Sequence, residues 1–546
     1  MTQSEFADRI FLGGPILTMD ETRPTVEAVA IRDGLILATG SEADVLQQRG
    51  PTTIVTTLGE HALLPGFVDG HGHLSHVASG LSSVNLAGPP VGAVTDIEGL
   101  VAELRRSLVA RALAPGSWLL GRGYDPAFLV EGRHPTRDDL DRVSHEHPVY
   151  ITHVSGHLSA ANSLALEMAG VNTETADPAG GVIRRRPGSR EPDGVLEESA
   201  MGSFSSGVIP PPSVADAHAQ LAEAQRIYAA AGLTTAQEGA MFPADFANLE
   251  SAASEGRLFI DVVGYAFWAQ ARVMLSDRET GRYSGRFKLG GMKLMLDGSP
   301  QGKTAWLTKP YHLVPDGQSV DYRGYPAMTD EQAFGLAETA YRQGWQVIAH
   351  CNGDAAADQF LAAVERAEQA HPGHDRRPVM IHAQTVREDQ LDRMVELGVL
   401  PSFFASHIYY WGDYHRDSVL GPERASRISP LGSAARRGLR FNLHNDSPVV
   451  PPDMLRLLWC AVERRTRSGA VLGAEQSISV MEALRAITID AAYAHFEDDR
   501  KGSIVPGKLA DLVILGADPT RVATADIQHI PVVETIKEGV AIHGGD

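Results

Sequence analysis

The sequence has very little cysteine. Only Cys351 and Cys460 occur among 546 residues, which is too few for a disulfide framework, so we expect a reducing cytoplasm and a fold held by its hydrophobic core. The sequence also lacks any apolar run as long as the about 20 residues that a membrane-spanning helix needs. Its first residues, MTQSEFADRIFLGG, lack the basic segment and apolar core of a signal peptide. These absences predict a cytoplasmic protein without a membrane anchor.

Basic residues are outnumbered by acidic ones. The chain has 48 Lys and Arg against 68 Asp and Glu, and its formal net charge is −20. Because contacts to phosphates need clustered positive charge, we expect no nucleic-acid partner. With 43% hydrophobic and 21% charged residues, the composition is typical of a soluble globular enzyme.

The two ends of the chain share a pattern of short strands and glycine-containing turns. Near the start, AVAI and LILATG are joined by RDG, which is a hairpin signal. Near the end, GKLADLVILGAD and VVETIKEGVAIHGG repeat the pattern. Neither end alone has enough strands to bury a core. We therefore expect one β-sandwich, built from residues 1–62 and 499–546, beside a central domain over residues 63–498.

The central domain alternates strands with helices. Eight segments have strand character: 63–73, 233–240, 259–268, 291–299, 345–354, 378–384, 399–406 and 439–448. Apolar residues at helical spacing fill the stretches between most of them, as in 329–344, 355–370 and 387–398. Eight such repeats predict an α/β fold, a distorted (β/α)8 TIM barrel. The competing open doubly wound sheet would have a Gly-x-Gly-x-x-Gly after its first strand, and none is present.

The connection between the first and second barrel strands is unusually long. It has roughly 140 residues, whereas a connection of this type normally has only a few. It also contains strand-like segments of its own, SWLLGRGYDP and PVYITHVSGH, and a run rich in arginine, DPAGGVIRRRPGSREPDG. We predict that residues 77–214 form an inserted subdomain beside the mouth of the barrel, with the arginine run in a solvated loop or an anion site.

Metal-capable side chains stand at the ends of five predicted strands. They are His71, His73, Lys293, His350, His382 and Asp446. His71 and His73 lie two positions apart, so an extended chain places both on one face. Lys293 is on the inner face of its strand, where an unpaired ammonium is costly. A single histidine is more often a core or capping residue. Because the carboxyl ends of all barrel strands meet at one rim, the set as a whole predicts a metal site.

Seven segments together resemble the amidohydrolase superfamily, and within it the N-substituted formamide deformylases. They are LPGFVDGHGH, GHLSAANSLALEMAGV, MKLMLDGS, AHCNGDAA, MIHAQ, HNDSPV and GSIVPGKLADLVIL. The resemblance covers nearly the whole chain. It implies a (β/α)8 barrel, a sandwich formed by both termini, and a homodimer.

The resemblance also implies a role for each side chain of the predicted metal site. The two histidines of the first strand would bind one ion, Lys293 as a carbamate would bridge two, and His350 with His382 would bind the second. Asp446 would be both a ligand and the proton shuttle. Zinc suits these ligands, with manganese or iron as alternatives. The implied reaction is attack by a metal-activated hydroxide on the carbonyl carbon of a small N-substituted amide, for example a formamide.

The predicted substrate pocket has aromatic residues. They gather in SFFASHIYYWGDYH (402–415) and TAWLTKPY (304–311), in loops at the rim that commonly shapes the pocket of a barrel. These loops favour an apolar or aromatic N-substituent. The predicted substrate-binding residues are His153, His157, Asp297, His407 and Trp411.

Two alternatives stay open. The same ligands serve cyclic-amide hydrolases and deaminases; a deaminase usually has one metal and no carbamylated lysine, so metal stoichiometry separates these enzymes. A barrel that has lost catalysis and acts as a binding or scaffold protein would lack ligands, whereas every expected position here is filled.

Overall fold

The centre of the molecule is a sheet of eight parallel strands connected in chain order. The computed structural model describes residues 6–205, 207–315 and 317–545. The eight strands are Phe67–Val68, Leu233–Met241, Asp261–Phe267, Phe287–Met295, Gln346–Cys351, Val379–His382, Leu400–Phe403 and Asn442–Leu443. A short strand, Tyr283–Ser284, pairs antiparallel with the fourth. Each of the eight falls within a segment that the sequence predicts as a strand or overlaps it closely.

The sheet curls until its first and last strands approach each other. The Asp446 N–H donates to the His71 carbonyl (3.2 Å) and the His73 N–H donates to the Ser447 carbonyl (2.8 Å). These bonds lie just beyond the carboxyl ends of the two strands, in the segments that carry predicted metal ligands. The fold is therefore an α/β fold of the TIM-barrel type, in which the rim is tied together at the predicted site.

Helices lie around the sheet and at its rim. They are Leu74–Gly80, Val214–Ala230, Pro243–Ser254, Trp268–Leu275, Asp330–Gln343, Asp354–Ala370, Glu388–Leu397, His407–Tyr414, Pro422–Ala425, Leu431–Arg436, Met454–Glu463, Val480–Ala486 and Ile489–Ala494. The helix Asp330–Gln343 has clear local signals at both ends. The Thr329 side chain accepts the Gln332 N–H, and Gly344 ends the helix at φ +76°, a conformation that glycine adopts without steric cost.

Two four-stranded sheets from the chain ends pack against each other. One has the order Leu35–Gly40, Ala28–Arg32, Arg9–Leu12, Ile54–Thr57, and the other has the order Val540–His543, Val532–Lys537, Leu512–Leu515, Ala62–Pro65. Their shared core contains Phe11, Val29, Leu512 and Ile536. A short helix, Glu42–Val45, joins strands of the first sheet. The two sheets form a sandwich with strands from both ends of the chain.

The apolar run LLPGFV differs from its prediction as one barrel strand. Ala62–Pro65 pairs antiparallel with Leu512–Leu515 in the sandwich, and only Phe67–Val68 pairs with the second barrel strand. The chain leaves one sheet and enters the other at Gly66, where an added Cβ would lie 2.4 Å from the Thr234 methyl carbon. The run is thus two strands in two sheets.

The long connection after the first barrel strand contains its own sheet. Its six strands are, in spatial order, Gly181–Arg185, Pro192–Glu198, Leu158–Ala161, Val149–His153, Leu119–Tyr124 and Val84–Asn85. Its helices are Ile97–Ala110, Arg137–Asp141, Ser163–Met168 and Gly202–Ser205.

The arginine run of this subdomain is part of the sheet rather than of a solvated loop. Arg184 pairs with Glu197 at 2.5 Å and Arg185 with Asp177 at 2.8 Å. Carboxylates of the same subdomain thus already neutralise these charges, which leaves them poorly suited to an anion site.

Two further features concern membrane-spanning helices and disulfide bonds. Among the helices that the structure describes, none has the length and apolarity that crossing a membrane requires. Cys351 and Cys460 are both buried and not joined in a disulfide.

Candidate metal centre

Three predicted ligands converge at the rim where the first and last strands meet. His71 Nε2 lies 3.5 Å from Asp446 Oδ1, and His73 Nε2 lies 3.2 Å from the same oxygen. One ligand atom from each of these residues lies within 4.8 Å of the others. A tetrahedral site with ligand distances of about 2.0–2.1 Å requires ligand atoms roughly 3.3 Å apart. The two distances to Asp446 Oδ1 are close to that requirement.

The other three predicted ligands adjoin this group. Lys293 Nζ lies 3.2 Å from His71 Nε2. His382 Nε2 lies 3.9 Å from Asp446 Oδ2 and 3.0 Å from His350 Nδ1. The structure therefore brings all six side chains into one cluster, delivered by the first, fourth, fifth, sixth and eighth strands.

Burial keeps most of the cluster uncharged. It lowers the pKa values of His71, His350 and His382 well below the usual histidine value, so these rings are neutral imidazoles, the form that binds metals. Burial also lowers the pKa of Lys293 to about 8, which makes its neutral amine accessible near neutral pH.

Asp446 and His73 are the members of the cluster whose pKa values favour the charged form. Burial alone would raise the pKa of Asp446, but the nearby His73, His382 and His71 outweigh it and hold that pKa well below its usual range. For His73, burial opposes ionisation, yet the nearby carboxylates of Asp446 and Glu238 raise its pKa to about 9. These are also the two members with the most accessible side chains, 12% and 15% exposed.

Buried polar atoms in the cluster lack ordinary partners. Among the described residues, His73 Nδ1, Glu238 Oε1 and Asp446 Oδ1 are buried without a hydrogen bond. Leaving such groups unsatisfied is costly, and a divalent cation would satisfy the carboxylate and the imidazole nitrogens at once. The donor set, imidazole nitrogens with a carboxylate oxygen, is one that zinc prefers. The residues present therefore fit a bound metal.

Neighbouring side chains orient the ligands, and sequence reasoning missed these. Gln237 Oε1 lies 2.5 Å from His71 Nδ1, so the other ring nitrogen faces the cluster. His444 Nε2 lies 3.1 Å from His382 Nδ1, and Ser402 Oγ is 2.8 Å from His444 Nδ1. Metal-binding histidines usually have such a second partner on the ring. The sequence places these residues on strands predicted to end at the site, but no local pattern marks them as partners of the ligands.

Three of the predicted substrate-binding residues lie around the cluster. A cavity of about 10 Å³, with room for about one water molecule, is lined by His157 and His407 together with His350, His382 and Asp446. The His157 ring is 5.0 Å from the His350 ring, and Glu198 Oε2 is 2.7 Å from His157 Nδ1. Trp411, whose ring is 4.6 Å from that of His407, lines a larger cavity next to this one.

The other two predicted substrate-binding residues line neither cavity. Asp297 is fully buried, and its carboxylate accepts the backbone N–H groups of Asn352, Gly353 and Trp306. Its oxygens are thus already engaged in holding the loop behind His350. His153 Nε2 lies 3.5 Å from Asp125 Oδ1, and Asp125 Oδ2 accepts the Trp411 Nε1–H at 2.7 Å. His153 therefore lies behind Trp411, away from the cluster.

Comparisons with known proteins identify the family to which the chain is similar. The model of the amidohydrolase family matches residues 58–543. The chain is 27% identical over 548 residues to N-substituted formamide deformylase of Arthrobacter pascens, an alignment that covers 98% of each chain. It is 31% identical over 530 residues to Protein LONG AFTER FAR-RED 3 of Arabidopsis thaliana, covering 94% of this chain and 88% of the relative.

A solved structure supports the architecture. The chain is similar to an uncharacterized metal-dependent hydrolase from Pyrococcus horikoshii OT3, with a TM-score of 0.74 and 24% identity over 95% of this chain and 99% of the other. At that identity, the likeness concerns the fold alone. The family match extends over most of the chain and includes the segments that supply all six clustered side chains. The chain belongs to the amidohydrolase family.

Proposed function

We propose that this protein is a metal-dependent hydrolase that cleaves the carbon–nitrogen bond of a small N-substituted amide. The observation that carries the proposal is the convergence of His71, His73 and Asp446 at ligand spacing. The likeness to an N-substituted formamide deformylase makes N-substituted formamides the first substrate class to examine.

The six clustered side chains would hold two divalent ions, zinc by the preference of the donors. In this proposal Lys293, as a carbamate, would contribute an oxygen donor to the metal site. Its burial and lowered pKa support that role, because carbon dioxide reacts with a neutral amine. When bound, the metal supplies a Lewis acid that polarises the amide carbonyl and acidifies water.

Asp446 is the residue to which we assign proton transfer. It lines the small cavity, and its side chain is more exposed than those of His71 and Lys293. As a carboxylate it accepts a proton from the attacking water, and as the resulting acid it donates that proton to the departing nitrogen. Without protonation an amine is a poor leaving group, so one side chain serves both halves of the reaction.

His157 is placed to contact the carbonyl side of the substrate. Burial opposes its ionisation, but the charge of Glu198 outweighs this and raises the pKa of His157 above its usual value. In its protonated form the ring donates a hydrogen bond to an oxygen on which negative charge develops. His407 and Trp411 supply the adjoining walls.

Hydrolysis of a panel of amides tests the proposal. The full chain, expressed with zinc, would be assayed with N-benzylformamide, an N-acyl amine and a cyclic imide. The readout is amine release for the two linear amides and formation of the ring-opened acid for the imide. We expect hydrolysis of the linear amides. Preferred cleavage of the imide, or no cleavage of any C–N bond by fully metal-loaded protein, would overturn the assignment.

Metal stoichiometry separates the proposal from its rivals. We expect about two divalent ions per chain, as in two-metal hydrolytic sites, loss of activity after treatment with a chelator, and recovery with zinc. One ion per chain would favour a deaminase-like site, whereas a folded protein that binds no metal would favour a scaffold.

A further inference from the structure

A cavity of about 150 Å³ lies between the inserted subdomain and the barrel rim. An engineered apolar cavity of about this size binds benzene, so there is room for one aromatic ring. Its walls are mainly apolar, and they include Val77, Phe128, Val154, Tyr410, Trp411 and Val450.

One charged side chain faces this apolar space. Among the described residues that line the cavity, Arg122 is the sole charged one. It lies on the subdomain strand Leu119–Tyr124 and is half-buried. Burial lowers the pKa of Arg122, with no carboxylate close enough to oppose that shift. A guanidinium carries five N–H donors, and shielding it from water without a partner is costly.

Other arginines of the same subdomain have carboxylate partners. Arg184 pairs with Glu197, and Arg137 Nη1 lies 3.1 Å from Glu191 Oε1. In the described part of the chain, no side chain pairs with the Arg122 guanidinium. Carboxylates are abundant in a chain with a net charge of −20. The lack of one beside a cation in an apolar cavity therefore needs a specific explanation.

Two segments that start at the candidate metal centre extend to the cavity. The Arg122 guanidinium lies against Gly80, where an added Cβ would be 2.8 Å from Arg122 Nε. Gly80 ends the helix Leu74–Gly80, which begins directly after His73. On the other side, Val449 lines both this cavity and the small cavity at the cluster, and its N–H donates to the Asp446 carbonyl at 2.8 Å.

We propose that this cavity binds the N-substituent of the substrate and that Arg122 binds a carboxylate on that substituent. The substrate class is then an N-substituted amide whose apolar, ring-sized group carries an acid. This inference rests on the proposed function and narrows it. A guanidinium and a carboxylate form two parallel hydrogen bonds, which satisfies the unpaired donors and selects the acid over neutral analogues.

Binding measurements test the inference without turnover. The probes are 4-methylbenzoate and its neutral isostere 4-methylbenzamide, titrated into the zinc-loaded full chain by calorimetry. We expect the acid to bind at least about 10-fold more tightly, as a charged hydrogen-bonded pair allows. In Arg122→Gln this preference should disappear. A preference that survives in Arg122→Gln would place the carboxylate on the metal and overturn the inference, as would equal binding of both probes to the unaltered protein.

Two further variants control for indirect effects. Gly80→Ala fills the space beside the guanidinium without changing charge, and we expect it to weaken binding of the acid. Arg190→Gln removes an exposed arginine of the same subdomain and should leave both affinities unchanged. Circular dichroism and the midpoint of thermal unfolding establish that each variant is folded.

A kinetic comparison links the cavity to catalysis. We expect kcat/KM to be at least about 10-fold higher for 4-(formamidomethyl)benzoate than for N-benzylformamide, and this ratio to fall towards one in Arg122→Gln. If neither amide is hydrolysed, the assignment of formamides as substrates fails, and the binding titrations still decide the role of Arg122. If both are hydrolysed with the same ratio in both proteins, the function stands and the inference fails.

Discussion

Asp446 combines three properties that are seldom found together in one side chain. It is held as a carboxylate by surrounding imidazoles, it lies at ligand distance from two of them, and it faces a cavity. His71 and Lys293 share the cluster but are almost fully buried, each 1% exposed. At the scale of single residues, these properties support our proposal that Asp446 transfers the proton.

Replacement of Asp446 by Asn should leave the fold and remove the activity. The amide is nearly isosteric but cannot accept and return a proton, so we expect kcat/KM to fall by roughly 10²–10⁴ or more, with the midpoint of thermal unfolding little changed. Asp389→Asn, at an exposed carboxylate that pairs with Arg387, is the control, since surface pairs contribute little. Activity within a few-fold of the unaltered enzyme would remove Asp446 from the mechanism.

The sequence predicts the six candidate ligands, but it does not predict the residues that orient them. Each ligand ends a recognisable strand, and the geometry of a barrel places all such ends at one rim. The partner of His71 is Gln237, 166 positions away on the neighbouring strand, and no local pattern distinguishes this glutamine from others. Arg122 is not predicted as a binding residue for the same reason, because only the folded structure shows whether its guanidinium has a partner.

At the scale of elements, the second barrel strand supports the first through a glycine. A Cβ on Gly239 would lie 2.2 Å from His71 Cε1, so the strand Leu233–Met241 reaches the ring only because this position has no side chain. The same edge of the His71 ring is held by Gln237, whose Oε1 lies 2.5 Å from His71 Nδ1. The close approach of the two strands therefore sets the position of a predicted ligand.

Gly239→Ala should displace His71 and weaken metal binding. We expect the affinity for zinc to fall roughly 10- to 100-fold, as for the loss of groups that orient a ligand, measured by competition with a chromophoric chelator. Gly335→Ala is the matched control: it lies in the helix Asp330–Gln343 with nothing within 4 Å of the added Cβ. It should stabilise the protein by about 0.5–1 kcal/mol and keep full affinity. Equal zinc affinity in the two variants would show that the His71 ring adjusts freely.

The division of LLPGFV between two sheets shows where prediction of elements fails. Periodicity identifies an extended apolar run but not its hydrogen-bonding partners. The partner of Ala62–Pro65 is Leu512–Leu515, near the other end of the chain, whereas Phe67–Val68 pairs with the strand that begins at Leu233. The sheet that each strand joins is decided by packing between segments far apart in the sequence. A local pattern therefore predicts a strand but not the sheet to which it belongs.

At the scale of the whole molecule, buried charges join the barrel to the sandwich. Lys501 Nζ lies 2.5 Å from Asp261 Oδ2 and 2.9 Å from Glu497 Oε2. Lys537, on a sandwich strand, lies 2.7 Å from the same Asp261 oxygen and 2.6 Å from Asp511 Oδ2. Asp261 begins the third barrel strand, so this network lies at the end of the barrel opposite to the metal centre. It holds the barrel and the sandwich together at a point far from the candidate metal centre.

Lys501→Met should destabilise the whole protein without altering the metal centre. Removing one partner of a buried ion pair leaves uncompensated carboxylates, which typically costs about 3–5 kcal/mol. We expect a clearly lower midpoint of thermal unfolding, with zinc content unchanged in the protein that remains folded. Lys309→Met, at an exposed lysine, is the control and should unfold at the original temperature. A similar midpoint for both variants would show that the network contributes no net stability.

The same network predicts how stability depends on pH. Burial would raise the pKa of Glu497, but Lys501 and Lys288 outweigh it and lower that pKa from 4.5 to about 2. A carboxyl whose pKa is lower in the folded state contributes stability that is fully present above its unfolded pKa and is lost as the pH falls through the folded one. Unfolding midpoints of the chelator-treated chain should therefore fall between about pH 4.5 and pH 2, and fall less steeply in Glu497→Gln. Identical slopes in the two proteins would mean that Glu497 titrates alike in the folded and unfolded states, and that the lysines do not hold it ionised.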